Sequence, residues 1–341
     1  MDLPYYDERP GTMTDNSKFK IQNSKFSNER GVALLIVLWI FTFLFVVAFE
    51  FTSSVREEGI TAHRYAEEAE GYYLALAGFQ QGLYELLQQS PQSQPGAAPS
   101  VDLFDGDWHE GTLGQGLYHV RLADEAGKIN INRADEDTLR RVFTNLGVEE
   151  PQRSILADSI LDWRDEDDLH RLNGAEKDYY SSLSPPYTPK NGPLDTVEDL
   201  LWVRGMTPEL FYGLEREVGL KDIFTVDSPT DRVNLRTASA EVCVALLGIS
   251  LEKCRVFVGE RKTLSEKTLA DLLRLLGIAT GDAALRQMVF INPTVITIEA
   301  KGRQAESATQ RQVKGVVRVV GGTKGFELIR WVDRDTIRNK E

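Results

Sequence analysis

The stretch Val32–Phe49 reads VALLIVLWIFTFLFVVAF, eighteen consecutive residues without a charged side chain. As a helix it spans about 27 Å, close to the hydrocarbon thickness of a bilayer. A secretory signal has a shorter apolar core, about 7–15 residues, closed by a small-residue cleavage site. Here the run continues into Ala48-Phe49-Glu50-Phe51-Thr52, which holds no such site. Lys18, Lys20, Lys25 and Arg30 precede it, which puts the N-terminus in the cytoplasm and the rest of the chain across the membrane.

Beyond the run, Tyr65, Ala69, Tyr72, Leu76, Phe79, Leu83 and Leu86 recur at steps of four and three, the spacing of a helical seam. Glu57, Glu58, Glu67, Glu68 and Glu70 take other faces. No proline interrupts Val32–Ser90, so one helix of about 59 residues is expected, some 85–90 Å long. Gly59, Gly71, Gly78 and Gly82 weaken its intrinsic propensity, and packing must therefore hold it.

Arg30-Gly31 before Val32-Ala33-Leu34-Leu35-Ile36 resembles the processing signal of type IV pilins and type II secretion pseudopilins, and V-A-L-L-I-V-L-W-I is similar to the start of the K-type minor pseudopilin family. The resemblance implies that a prepilin peptidase cuts after Gly31, that Val32 becomes a methylated N-terminus, and that residues 1–31 are a leader. That leader is long for the family, so translation starting at Met13 or later is an alternative. Most pilin-like subunits carry Glu five residues after the cut, to pair with a neighbour's N-terminal amine. Here the position is Ile36, a departure the K-type family shares. It suits a subunit that enters a filament first.

Residues 88–100, QQSPQSQPGAAPS, read as a polar linker. Gly116–Ala123 alternates as a strand. From Asn132 to about Met288 the signals are short and helical. Units begin at Asn132-Arg133-Ala134-Asp135, at Leu194-Asp195-Thr196-Val197 and at Val233-Asn234-Leu235-Arg236, each followed by an apolar helix and a glycine. They resemble helix-hairpin-helix repeats, which in many relatives grip a DNA phosphate. Here Gly147-Val148-Glu149-Glu150 and Gly205-Met206-Thr207-Pro208-Glu209 are acidic where phosphate would approach. Between Gly114 and Asp227 there are 13 Lys and Arg against 23 Asp and Glu. A protein-binding helical module is expected, with a membrane-anchored DNA receptor as the alternative. The net charge of −13 likewise speaks against a general polyanion binder.

The segments around Val295–Ala300, Gln312–Val320 and Phe326–Val332 are β-patterned with glycines at the turns. The expected fold is α+β: a long N-terminal transmembrane and stalk helix packed on an antiparallel pilin-like sheet, with a large inserted all-α domain of helix-hairpin-helix (SAM-like) units. The expected boundaries are a leader at 1–31, a transmembrane helix at 32–51, a periplasmic stalk at 52–90, the sheet core at 101–125 and 290–335, and the inserted domain at 126–289. The K-type family has this plan.

The densest polar constellation is Asp162-Trp163-Arg164-Asp165-Glu166-Asp167-Asp168, followed by Asn173–Tyr180 (NGAEKDYY). Carboxylates this close repel unless a cation intervenes, and Ca²⁺ takes six to eight oxygens at about 2.3–2.6 Å. The spacing is not that of an EF-hand. The stretch resembles the calcium-bearing loop of the K-type family, which implies Ca²⁺ held by Asp165, Asp167, Asp168, Glu176 and Asp178, with Leu169-His170-Arg171-Leu172 inserted between them. No nucleophile elbow, phosphate loop or zinc-protease motif is present, and His63, His109, His119 and His170 are scattered. No enzymatic activity is expected. Cys243 and Cys254 are too few for a disulfide framework and read as core residues or one bridge.

The family resemblance implies a minor pseudopilin at the tip of the type II secretion pseudopilus. It would start assembly with I- and J-type minor pseudopilins and the major pseudopilin, meet secreted cargo or the outer-membrane channel, and bind no nucleic acid. Its place would be the bacterial inner membrane, single-pass, with the C-terminal domain in the periplasm.

Overall fold

The computed structural model describes residues 29–88, 104, 106–213, 218–261, 274, 276–278, 286–320 and 325–338. Most of the expected leader and the expected 88–100 linker lie outside them. A single helix, α1 (Glu29–Gln88), runs for 60 residues. The chain divides after His63 into two units. In the first, every residue from Val32 to Thr52 is exposed, and among the described residues this is the one helix long and apolar enough to cross a membrane. Apolar side chains so uniformly bare suit a lipid surrounding rather than water.

In the second unit the rest of α1 lies on an antiparallel sheet. Chain order gives β1 (His109–Leu113), β2 (Gly116–Asp124), β3 (Ile129–Asn130), α2 (Glu136–Asn145), α3 (Gln152–Arg164), α4 (Lys177–Ser181), α5 (Pro208–Tyr212), α6 (Leu220–Ile223), β4 (Phe224–Thr225), β5 (Val233–Asn234), α7 (Ala240–Leu247), α8 (Leu251–Glu260), β6 (Met288–Val289), β7 (Val295–Gln304), β8 (Thr309–Val319) and β9 (Phe326–Arg338). Five strands form one sheet in the order β1-β2-β7-β8-β9, and all neighbours are antiparallel. The long apolar helix and the antiparallel sheet are both as the sequence led us to expect.

The expected seam on α1 meets the sheet over its second half, where Phe79 and Leu86 are buried and Tyr72 and Leu83 pack against the sheet core. Tyr65 and Ala69 are exposed, while Gly71, Ala75, Gly78, Phe79, Gly82 and Leu86 face the sheet as its buried stripe. Residues without side chains let the helix approach closely. A methyl on Gly78 or Gly82 would press on Tyr118 or Val120, and one on Gly302 in β7 would overlap the α1 backbone at Gly71 and Ala75. Counting apolar residues alone finds Phe79 and Leu86 but leaves out the glycines through which the helix and strand approach each other. Phe79 meets Trp331 edge-on at 4.9 Å and anchors the sheet core with Val120, Leu122, Ile298, Val313 and Val317.

The helical segment between β2 and β7 has its own core and contains a repeat. Ile129-Asn130-Ile131-Asn132-Arg133-Ala134-Asp135 matches Val233-Asn234-Leu235-Arg236-Thr237-Ala238-Ser239 in pattern. β3 pairs with β4 in parallel and β5 pairs with β6 in parallel. The Asn130 side chain donates to the Ser228 carbonyl and that of Asn234 to Ile291, both at 2.9 Å. Asp135 and Ser239 cap α2 and α7, and each unit's first helix gives way to a left-handed glycine, Gly147 (φ 71°) or Gly248 (φ 66°). Arg164 donates to the carbonyls of Ile131 and Ala134, and the buried Arg261 does so to Leu235 and Ala238. Buried backbone oxygens need such donors. Cys243 and Cys254 are free and buried, on α7 and α8. Their thiols are hydrogen-bonded, which together with burial pushes the Cys243 thiol up.

Candidate functional site: the acidic loop after α3

α3 ends at Arg164, and Asp165 continues as extended chain with its amide bonded to Leu161. This sharp stop throws Asp165–Asp168 into a loop, while Asp162 stays wholly buried on the last turn. Asp165, Asp167 and Glu176 each offer a carboxylate oxygen within 4.8 Å of the other two. Glu176, at the N-terminus of α4, is buried, yet neither of its oxygens has a hydrogen-bond partner, and neither does Asp165 Oδ1. Burial, then repulsion from Asp162, Asp165, Asp168 and Asp167, raises the Glu176 carboxyl to about 7. Buried acceptors without donors are costly, and hard oxygens in this arrangement fit a divalent cation.

Two of the five expected ligands are not part of this group. Asp168 Oδ1 accepts from Asn191 Nδ2 at 3.0 Å, and Asp178 is exposed, accepting from the Tyr179 amide at 2.8 Å. Both are turned to local backbone and loop bonds, as short acidic side chains often are. The inserted Arg171, which the sequence reading treated as spacing, is structural. Its guanidinium donates to Asp162 at 2.6 Å and to Asp165 at 2.8 Å, and its amide also donates to Asp162. Burial pushes the Asp162 carboxyl up, with Arg171 opposing. The residues that fit Ca²⁺ are thus Asp165, Asp167 and Glu176. An ion there would neutralise the charge that these three now direct at one another.

A calcium titration checks this. Saturating Ca²⁺ should raise the melting temperature, since a ligand at about 100 Kd adds roughly 2.7 kcal/mol, and Glu176→Gln should remove the response. The pH dependence has a definite sign. A carboxyl raised from 4.5 to about 7 on folding leaves its stabilising share intact below pH 4.5 and loses it as pH rises through 7. Calcium-free protein should therefore lose stability across that window, and Ca²⁺ should flatten the loss. A melting temperature indifferent to Ca²⁺ would remove the metal reading.

Residues 119–220 match the sequence profile of the family described as type II secretion system (T2SS), protein K. The chain is 28% identical over 236 residues to type II secretion system protein K of Klebsiella pneumoniae, covering 65% of this chain and 70% of that protein. It is 25% identical over 205 residues to that of Pectobacterium carotovorum subsp. carotovorum, covering 54% and 61%. The fold is similar to a chain in the crystal structure of the GspK-GspI-GspJ complex from the enterotoxigenic Escherichia coli type 2 secretion system. The TM-score is 0.60 at 16% identity, over 82% of this chain and 99% of that one.

Proposed function

Because this chain carries the domain of type II secretion system protein K, we propose that it is a minor pseudopilin at the tip of a periplasmic pseudopilus. There it starts assembly with I- and J-type subunits ahead of the major pseudopilin and helps folded cargo reach the outer-membrane channel. The observation that carries this reading is the helical domain set between β2 and β7. An interior subunit of a helical filament has neighbours above and below, and a head enlarged on that scale leaves no room above. Ile36 points the same way: with no carboxylate there, the subunit has nothing to offer an amine already in place, and loses nothing by entering first. The membrane-anchored α1 fits a single-pass inner-membrane precursor whose second unit lies in the periplasm. The likeness to a chain from a K–I–J complex supports I- and J-type partners.

The helical domain serves, on this reading, as a pair of helix-hairpin-helix units for protein contact. In the first hairpin the anion-attracting start of α3 already faces a carboxylate, that of Glu150. Its carboxylate accepts from the Ser154 amide at 3.2 Å and from Arg153 at 3.0 Å, at the N-terminal turn of α3, where anions bind. This disfavours the DNA-receptor alternative.

The intact mass of the membrane-purified protein tests the proposal. It should equal a chain that begins at Val32 and carries one methyl group, and should shift to the uncut form in cells lacking the prepilin peptidase. A mature protein that retains Gly31 would defeat the pseudopilin reading.

A further inference from the structure

Leu169 is 79% and Leu172 94% exposed, both within one four-residue stretch of the loop. Single exposed leucines are commonplace, but this loop is fastened rather than loose. The Leu169 amide donates to Asp167 Oδ1 at 2.8 Å. Arg171, between the two leucines, is tied to Asp162 and Asp165. Asn191 Nδ2 holds the Asp167 carbonyl and Asp168 Oδ1, each at 3.0 Å. These bonds hold the loop that carries two bare apolar side chains, which the described residues leave uncovered. Beside Leu172 lies a hollow of about 310 Å³, lined by Gly174, Ala175, Tyr179, Ser182 and Arg204 among others. Arg204 is itself held, over the Tyr179 ring at 4.7 Å and on the Gly174 carbonyl at 2.9 Å. Little ordering cost remains for a partner to meet.

Charge decides the partner. Outside the Asp165, Asp167 and Glu176 group, residues 165–178 still expose the carboxylates of Glu166, Asp168 and Asp178 against the exposed Lys177, while Arg171 is tied to Asp162 and Asp165. Such a surface is repelled by anionic lipid headgroups and by nucleic acid, and is complementary to a cationic rim. We propose that the Leu169–Leu172 segment is a docking knob for a protein whose surface offers a shallow apolar pocket bordered by lysines or arginines, with the two leucines as the buried anchors and the exposed carboxylates of the loop as their rim. The inference uses the folded loop alone and holds whether or not the chain sits at a filament tip.

The test places a photocrosslinking residue at position 172 of the full-length chain in secreting cells, and another at exposed Val256 on α8 as the control. The adduct at 172 should be protein, at least tenfold above that at 256, and the crosslinked partner peptide should be apolar with flanking Lys or Arg. Adding Leu169→Ser to the same chain should cut the adduct severalfold without moving its melting temperature. Raising salt from 0.05 to 0.5 M during photolysis of detergent extracts should lower the yield. An adduct to lipid, to a second copy of this chain or to an acidic peptide overturns the proposal, as does a yield equal to that at 256 or one indifferent to salt or to Leu169→Ser.

Discussion

Gly302→Val should lower the melting temperature of the full chain by about 10 °C, the largest single-residue effect we expect in the sheet. The side chain would meet the α1 backbone at Gly71 and Ala75 rather than the tip of a flexible neighbour, so nothing local can swing aside. Overpacking of a tight site costs about 1–3 kcal/mol, more when backbone must move, and each kcal/mol is worth about 2–4 °C in a unit of this size. Gly59→Val is the control. It also adds a β-branched side chain to α1, but in open space, and should change melting by no more than a degree or two. Equal shifts would mean that the helix does not rest on β7 as described.

The second large effect is expected at Glu125, which is buried where β2 leaves the sheet. It accepts from the hydroxyls of Thr225 and Thr297 and faces Lys128 at 3.5 Å. Thr297 belongs to β7 and Thr225 to β4, so one carboxylate ties the sheet to the helical domain. Asp124 beside it accepts from Thr237 at 2.6 Å and from Asn234 at 2.9 Å, adding the second repeat. Removing one partner of a buried charged pair costs about 3–5 kcal/mol, and Glu125→Ala should fall in that range by chemical denaturation. Burial alone would raise the Glu125 carboxyl, but Lys128, Thr225, Thr297 and Lys314 together hold it below 4.5. Its contribution is therefore full above pH 4.5 and fades as pH falls through the lowered value. The wild-type advantage over Glu125→Gln should shrink on acidification. An advantage that grows in acid would mean the site is arranged otherwise.

Much of this architecture was legible in the sequence, because long-period signals survive without knowledge of contacts. An uncharged run as long as Val32–Phe49 has few uses, and alternation in Val295–Ala300 has few readings. On α1 the apolar spacing picks out Phe79 and Leu86 of the buried stripe, but glycine is silent on a hydrophobicity scale: Gly71, Gly78 and Gly82 mark the contact by what they lack. The acidic loop was visible as a loop, and three of its five expected ligands converge. Asp168 and Asp178 do not, because their partners are Asn191, 23 residues away in sequence, and a neighbouring amide. The role of Arg171 was hidden for a similar reason. A cation inside an acidic stretch looks like spacing until the fold brings Asp162 beneath it. The bonding role of the repeat's asparagines, Asn130 and Asn234, is visible only in the fold, although Asn234 stands in the opening of the third unit. Their signal was available, since the same residue precedes I-N-R-A-D and L-R-T-A-S alike.

The pairing of β2 with β7 has a kinetic consequence. Asp124 lies opposite Ile296, yet the whole helical domain separates them along the chain. Joining ends that far apart through a flexible coil costs about 4–5 kcal/mol in loop entropy, and contacts of such long sequence range form late. A domain that has already collapsed brings its own two ends together and removes most of that cost. The helical repeats should therefore gain hydrogen-exchange protection first after transfer out of denaturant, and the strands that cradle α1 should zip up only afterwards. A newly made chain would thus present a finished head on an unfinished neck.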